Sequence, residues 1–540
     1  MKSKIFTLLA VLMLTSALFH ASAAAGDTFE VPMGIDGLKA GSYGTDANKA
    51  AYYTFTDNGD GTCTLTRAAY NTSGVLASNL RNGFALNIPA TANGLTVTAI
   101  GNDAFYQSSK FTSITFPESV KTLGDDNFKG CAILTTLNLG GIETIGNRCF
   151  YYSGENYQTK LTDVDLSNVK SIGSNSFTNF PNLSNITLSP ELENLGTGSF
   201  SGCPEAELSF PEDSRYMVID GIIYECEVAG GDPASLLMVQ PNYNGTTVTI
   251  PATVTAISSR AFQGNTTLQS IDLANVKSIG NYAFMGCSSL ATATGSASLQ
   301  TLGTSAFSGC TSLQSFELGA ECTPENLAKV FSGCTGLQSF TVAEGNPSYS
   351  AADGVVFNAD GTTLIAYMCD NKAEYSVPSG VTTIAKGAFN NAKNTLTSLT
   401  LGNDVTTIDE DLFEYGSGSS VENLTIGAKV SSIGATAFYE CNNIGIVNCE
   451  AVIPPAIPNQ WVFSYNTVNN AELKVPAGSE DAYKAANGWN TFADRITTGI
   501  EGIEVEATDS GDYYDLRGMR ADAPRAGQIY IHNGKKIIYR

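Results

Sequence analysis

"NVKSIGNYAFMGCSSLATATGSASLQTLGTSAFSGCTSLQSFELG", residues Asn275–Gly319, states nearly the same phrase twice. A hydrophobe and a glycine are followed by a small residue, Phe, and then Gly-Cys-x-Ser-Leu, and 23 residues later the phrase returns. Along the chain this Phe recurs at 105, 128, 150, 177 and 200, at 262, 284, 307 and 331, and at 389, 413 and 438, with spacings of 22 to 27 within each run. Such a period is the signature of a solenoid. One copy, "LQSIDLANVKSIGNYAFMGC" (Leu268–Cys287), carries Leu268, Ile271, Leu273, Val276, Ile279, Ala283, Phe284 and Cys287 as its apolar set. Its "LxxIxL" part alternates and predicts a short strand with Ile271 and Leu273 inward. "VKSIG" predicts a second extended segment, and "NYAFMGC" a tight turn of α- or 3₁₀-helix that carries the Phe into the core. No single copy can bury these side chains alone. Stacking at a strand spacing of about 4.8 Å joins them into one column, where each Phe contributes roughly 1.5–3 kcal/mol.

The full phrase, "[LI]xxIGxxAFxGCxxLxx[LI]xL", runs from about Thr98 to Ile446. It resembles the BspA-like leucine-rich repeat of surface proteins from Bacteroides-type bacteria. The resemblance implies a mainly β leucine-rich-repeat solenoid with short helical turns, inserted β-hairpins and terminal caps. It further implies a scaffold presented to host proteins or neighbouring cells. Period and spacing by themselves establish the solenoid alone.

The organisation follows from where the period begins, breaks and ends. Residues 1–23 read as a signal peptide, with Lys2 and Lys4 as the charged start, Ile5 to Phe19 as the apolar stretch and Ala21-Ser22-Ala23 as the cleavage site. Residues 24–98 read as a β N-terminal cap and 99–450 as the solenoid. Two interruptions, near 214–251 and 347–378, resemble each other: Tyr, then Asp-Gly, an alternating apolar run, a turn, a second run, and a Pro that leads back into a repeat. "NADGTT" (Asn358–Thr363) is a hairpin signal, and both interruptions are predicted as hairpins. Residues 451–498 are predicted to cap the other end, with Trp461 and Trp489 as the plug. The segment 499–540, with Arg517, Arg520, Arg525, Lys535, Lys536 and Arg540, resembles the sorting or attachment segments of exported proteins and also reads as a terminal hairpin.

Composition narrows the chemistry. With 52 acidic against 29 basic residues the formal charge is −23, the opposite of what nucleic-acid binding requires. The only two His are His20, inside the signal segment, and His532. Neither HExxH nor a paired CxxC set appears, nor GxSxG, a Walker loop or GxGxxG after a strand. No cofactor, metal or catalytic residue is therefore assigned. A glycosidase needs only two carboxylates; Asp125-Asp126 and Ile408–Glu414 supply candidates, but abundant acids on solvated turns favour a non-enzyme. Six of the twelve Cys (131, 203, 287, 310, 334 and 441) stand three residues after a repeat Phe. They read as small buried fillers rather than a disulfide framework.

Function, on this reading, lies on the outward residues of the "LxxIxL" strands and on the loop after Phe150. That loop, "YYSGENYQTK", lengthens its repeat to 27 residues, and per-repeat insertions often mark a binding face. The candidate partner-binding residues are Tyr151, Tyr152, Tyr157, Asp163, Asp165, Asp272 and Glu317. The expected protein is an exported, non-catalytic surface protein that binds extracellular or host proteins. The alternative is a glycan-binding or glycan-processing protein in which the solenoid is a spacer.

Overall fold

The computed structural model describes residues 25–32, 51–70, 84–106, 111–130, 133–151, 160–369, 371–392, 395–413, 419–498, 513–514, 529–532 and 535–538. Residues 1–24 and most of 499–540 lie outside these residues. The chain divides into two compact units: 1–245 with 250–262, and 246–249 with 263–540.

In the first unit the turns of the solenoid meet through three backbone ladders, the first of them interrupted once. The first strands, Phe84–Asn87, Phe111–Thr115 and Thr136–Asn138, pair in parallel, and Asp163–Leu166 pairs with Asn185–Leu188 as a separate sheet. The second strands run unbroken from Leu95–Ile100 through Thr122–Leu123, Thr144–Ile145 and Ser171–Ile172 to Asn194–Leu195. The third ladder joins the turns: Phe128 N–H donates to Cys149 O (2.6 Å), Phe150 N–H to Ser176 O (2.8 Å) and Phe177 N–H to Ser199 O (2.7 Å). Inside them the Phe rings stack face to face, 105 on 128 at 4.8 Å, 128 on 150 at 5.4 Å, 150 on 177 at 5.0 Å and 177 on 200 at 5.3 Å. Each of these rings is at most 1% exposed. The repeated Phe thus builds the column that the sequence predicts.

The second unit repeats the plan. Ser270–Asp272, Thr292–Thr294, Ser315–Leu318 and Ser339–Val342 form part of a continuous parallel sheet. Glu374–Ser376, Ser398–Thr400, Asn423–Ile426, Ile446–Cys449, Glu472–Val475 and Ile496–Thr498 form another. Phe284, Phe307 and Phe331 stack at 5.0 and 5.4 Å.

The segment around the Phe departs from expectation. It is a run of turns, and regular helix appears only sparsely, as in Leu327–Val330. The residue two before the Phe is left-handed: Asp103, Asp126, Arg148 and Asn175 in the first unit, and Tyr282, Ser305, Asp411 and Thr436 in the second, all with φ of 50–59°. A positive φ interrupts helical propagation and turns the chain inward. Where a Gly stands two residues after the Phe it is left-handed as well, as at Gly286, Gly309 and Gly333 (φ 76, 75 and 77°), and a Cβ on Gly309 or Gly333 would lie 3.5–3.6 Å from the Gly one turn back. The Cys that follows is more than a filler. The Sγ of Cys203 donates to Phe177 O (3.1 Å), that of Cys310 to Phe284 O (3.2 Å) and that of Cys334 to Phe307 O (3.1 Å), always one turn back. None of the eleven described Cys, Cys63, Cys149, Cys226, Cys322, Cys369 and Cys449 among them, forms a disulfide, and all are buried; Cys131 lies outside the described residues.

Both interruptions contain the expected hairpins, closed by Asp220-Gly221 (φ 50 and 77°) and Asp353-Gly354 (φ 51 and 76°), a left-handed pair that suits a type I′ turn. Each is in fact a three-stranded antiparallel meander whose last strand rejoins the solenoid. Pro233–Val239 pairs in parallel with Ala256–Ile257, and Thr363–Tyr367 with Thr383–Ile384. The N-terminal strands Thr28–Pro32, Ala51–Asp57 and Thr62–Tyr70 have the same topology, with Thr62–Tyr70 parallel to Leu95–Ile100. Tyr216 closes the first run. Leu195 N–H donates to its phenol (2.9 Å), and the phenol donates to Glu193 O (2.9 Å), so one side chain stands in for the missing next strand.

At the far end Trp489 plugs the cap as expected. It is fully buried, and its indole N–H donates to Pro455 O (2.8 Å). Trp461 does not share that role: it is 51% exposed and meets Tyr439 edge-on at 6.2 Å. It occupies the position two before Phe463, whose chain there is a 3₁₀ segment, Gln460–Val462. That backbone leaves the indole on the surface.

Candidate binding face and cleft

Period-two alternation sends every other residue of the first strands outward. In the first unit Thr136, Asn138, Asp163, Asp165, Asn185 and Thr187 are exposed, and in the second Asp272, Ser315, Glu317, Ser339 and Thr341 are. Asp163 and Asp165 therefore share one face of one strand. Asp163 accepts from Asn185 Nδ2 (2.6 Å) and from the Thr162 hydroxyl, and these bonds hold its carboxyl below the ordinary value. Asp165 accepts from Ser167 N–H (2.9 Å), as Asn138 does from Gly140 N–H (3.0 Å) and Asp272 from Ala274 N–H (3.0 Å). One carboxylate oxygen of Asp165 and of Asp272 thus closes the turn that leaves the strand. Asp272 and Glu317 face the same way but are not neighbours, because Thr292–Thr294 runs between their strands.

Tyr151 lies in a column formed by the residues directly after the repeat Phe. The Lys129 ammonium sits 5.5 Å from its ring and 5.6 Å from that of Tyr106, which is 41% exposed. Lys129 also approaches Asp126 at 3.5 Å, and Arg148 binds that carboxylate through Nε (3.0 Å) and Nη2 (2.5 Å). One face of the Tyr151 ring is thus taken by a cation of its own chain. Tyr152 and Tyr157 lie outside the described residues.

Thirteen residues separate Phe150 from Asp163, whereas eight separate Phe128 from Thr136 and Phe177 from Asn185. The extra length enters between turn and strand, and here the first-strand ladder is interrupted. In the rung before, Phe116 N–H donates to Asn138 O (2.9 Å); no corresponding bond from Leu139 to Asp165 occurs among the described residues. The two strands part above a cleft of about 360 Å³ lined by Glu118, Leu137, Asn138, Leu139, Asp165 and Ser167 among others. Leu137 and Leu139 contribute apolar lining there, at 8% and 5% exposure. Gly140 (φ 55°) forms part of one wall; a Cβ on it would lie 2.3 Å from Phe116 O, so only glycine fits. Asn168 Nδ2 reaches Gly140 O at 3.4 Å across the gap. The cleft was not foreseen, although its signal, the five additional residues ahead of Asp163, is present in the spacing.

The other chemical candidates are engaged structurally. Asp125 accepts from Asn147 N–H (2.7 Å), Asp126 is paired as above, and Lys386 bridges Glu410 (2.7 Å) and Asp411 (3.0 Å). Glu414 lies outside the described residues. Burial pushes the Cys203 thiol up to about 12 and Cys322 to about 12, away from the thiolate that nucleophilic chemistry needs. No group of three or more His, Cys, Asp or Glu that could hold a metal, and no helix long and apolar enough to cross a membrane, occurs among the described residues. Sequence reasoning missed the exposed segment from Val452 (68%) and Ile453 (80%) to Trp461 (51%) and Tyr465 (76%). A Pro-rich, period-breaking stretch with aromatics was the available signal.

The chain belongs to the family described as the BspA type leucine-rich repeat region, which matches residues 87–207, 241–351 and 365–479 in six copies. It is similar in structure to a leucine-rich cell surface protein from Faecalibacterium prausnitzii, at 22% identity over 71% of this chain and 93% of that one (TM-score 0.35). It is also similar to leucine-rich repeat proteins from Bacteroides ovatus (20% identity, 80% and 100% covered, TM-score 0.29) and Eubacterium ventriosum (15%, 84% and 80%, TM-score 0.31). These likenesses concern the fold alone. No curated protein matches the sequence.

Proposed function

We propose that this BspA type leucine-rich repeat protein is an exported, non-catalytic cell-surface protein that binds other proteins through its outward strand faces. The observation that carries the reading is the outward face itself. Parallel strands present short polar side chains, Thr136, Asn138, Asp163, Asp165, Asn185 and Thr187, on one surface, broken by a cleft. A large face of small contacts suits recognition of an extended partner, and a charge of −23 favours one of basic character. The engaged carboxylates and buried thiols support a role without catalysis. The N-terminal segment 1–23, ending in Ala21-Ser22-Ala23, supports export.

The test is a pull-down of the mature chain, from Ala24, against extracellular matrix proteins and a glycan array. Saturable binding to a protein is the expected result; binding to glycans alone, or turnover of a glycan, defeats the reading. A second reading, glycan binding at the C-terminal cap, is favoured by the exposed Trp461 held edge-on by Tyr439. Aromatic faces of this kind suit stacking of an apolar ring face. It requires that Trp461→Ala abolish array binding.

A further inference from the structure

We propose that the cleft between Thr136–Asn138 and Asp163–Leu166 receives an arginine or lysine side chain of the protein partner. This rests on the protein-binding reading above and names the chemistry that the site would recognise.

The cleft combines two features that such a side chain matches. Leu137 and Leu139, 8% and 5% exposed, offer a small apolar contact to an aliphatic stem. The rim of the cleft carries the carboxylates of Glu118 and Asp165, both exposed and neither in an ion pair among the described residues. The nearby cations are committed elsewhere. Lys121 binds Glu143 (3.4 Å) and Gly141 O (3.2 Å), while Lys170 lies between Glu143 (3.5 Å) and Glu191 (3.6 Å). The second-strand edge of these turns therefore neutralises its own acids, and the cleft does not. A guanidinium can bond two carboxylates through its fork of donors, and desolvation against leucine strengthens the attraction. The net charge of −23 adds long-range attraction for a cation. The volume, about 360 Å³, admits one long side chain rather than a folded element.

The probe is a blocked Gly-Ser-Arg-Ser-Gly peptide titrated against the full mature chain by saturation-transfer NMR, beside its citrulline counterpart, which keeps the shape and loses the charge. Arginine is expected to bind, citrulline to bind at least about ten-fold more weakly, and binding to fall as salt rises. The double variant E118Q/D165N should lose the preference; Asn at 165 can retain the turn bond, since Asn138 makes that same bond one rung earlier. D272N/E317Q, on strands without the cleft, should leave it unchanged. Equal binding of the two peptides, binding of neither, or an E118Q/D165N variant that behaves as wild type overturns the proposal. A matrix protein that binds wild type and E118Q/D165N alike leaves the general reading standing and removes this one. Absence of any protein ligand removes the general reading.

Discussion

The turns from Phe105 to Phe200 and those from Phe284 to Phe331 are the same repeat under different discipline. In the second stretch the Phe residues are 23 and 24 apart and the first strands form a continuous sheet. In the first, one repeat of 27 residues splits that sheet in two. Yet the column beneath does not register the change. Phe150 and Phe177 stack at 5.0 Å, the same distance as Phe284 and Phe307. Thr144–Ile145 pairs with Ser171–Ile172, and Phe150 N–H reaches Ser176 O as Phe128 N–H reaches Cys149 O and Phe177 N–H reaches Ser199 O. Two ladders and the core hold the turns together, so the first-strand ladder is free to open. A solenoid of this kind can acquire a cleft on one face without disturbing its interior.

The comparison is most exposed to failure at the core. Phe150→Ala and Phe307→Ala should each destabilise by about 3–5 kcal/mol, with similar values, because both remove a ring from an equivalent stack. Denaturant unfolding with segment-resolved hydrogen exchange reads this. A Phe150→Ala cost well below that of Phe307→Ala would mean that the opened ladder loosens the core after all.

A smaller effect comes from the thiols that both stretches place on the carbonyl of the preceding turn. Cys310→Ala should cost about 1–2 kcal/mol, since it removes the bond to Phe284 O and leaves a small void. Serine at that position, which can still donate, should recover part of the loss if the hydrogen bond matters, and none if filling alone matters.

Acid should weaken the first stretch around Asp126, and base should weaken the turns that bury a raised thiol, Cys203 in the first stretch and Cys287 and Cys310 in the second. The Arg148 hydrogen bond and charge hold the Asp126 carboxyl below its ordinary value. Its contribution is therefore present above the unfolded carboxylate value near 4 and is lost as pH falls through the folded one. In the second stretch burial raises the Cys287 thiol, and a bond with Cys334 together with burial raises Cys310. There the folded state holds protons that the unfolded chain gives up, so stability is full below about pH 8.5 and declines above it. Exchange profiles at pH 3.5 and pH 10 should show protection fall around Phe128–Phe150 in acid, and around Phe200 and Phe284–Phe331 in base. The smallest effect is Arg148→Ala, about 0.5 kcal/mol, because the pair is half in solvent.

Much of the fold was legible because burial leaves a local trace. Alternation placed Ile271 and Leu273 inward and Asp272 outward, and Asp-Gly marked the meander turns. The candidate site was legible only in part. Asp163 and Asp165 are exposed on one face, but their bonds to Asn185 and Ser167 depend on neighbouring backbone that no pattern records. Trp461 and Trp489 are the same residue type in one cap, and only the 3₁₀ backbone at Gln460–Val462 separates the exposed one from the plug.

The sequence by itself determined the period, the inward set and the turn chemistry, because each is set by a residue and its near neighbours. Tertiary structure alone decided that five additional residues open one ladder of three, that the Tyr216 phenol closes the strand at Leu195, and that the Cys203, Cys310 and Cys334 thiols bond a carbonyl of the preceding turn. These are relations between residues some 20 or more positions apart. Their geometry is fixed only when one turn settles on the next.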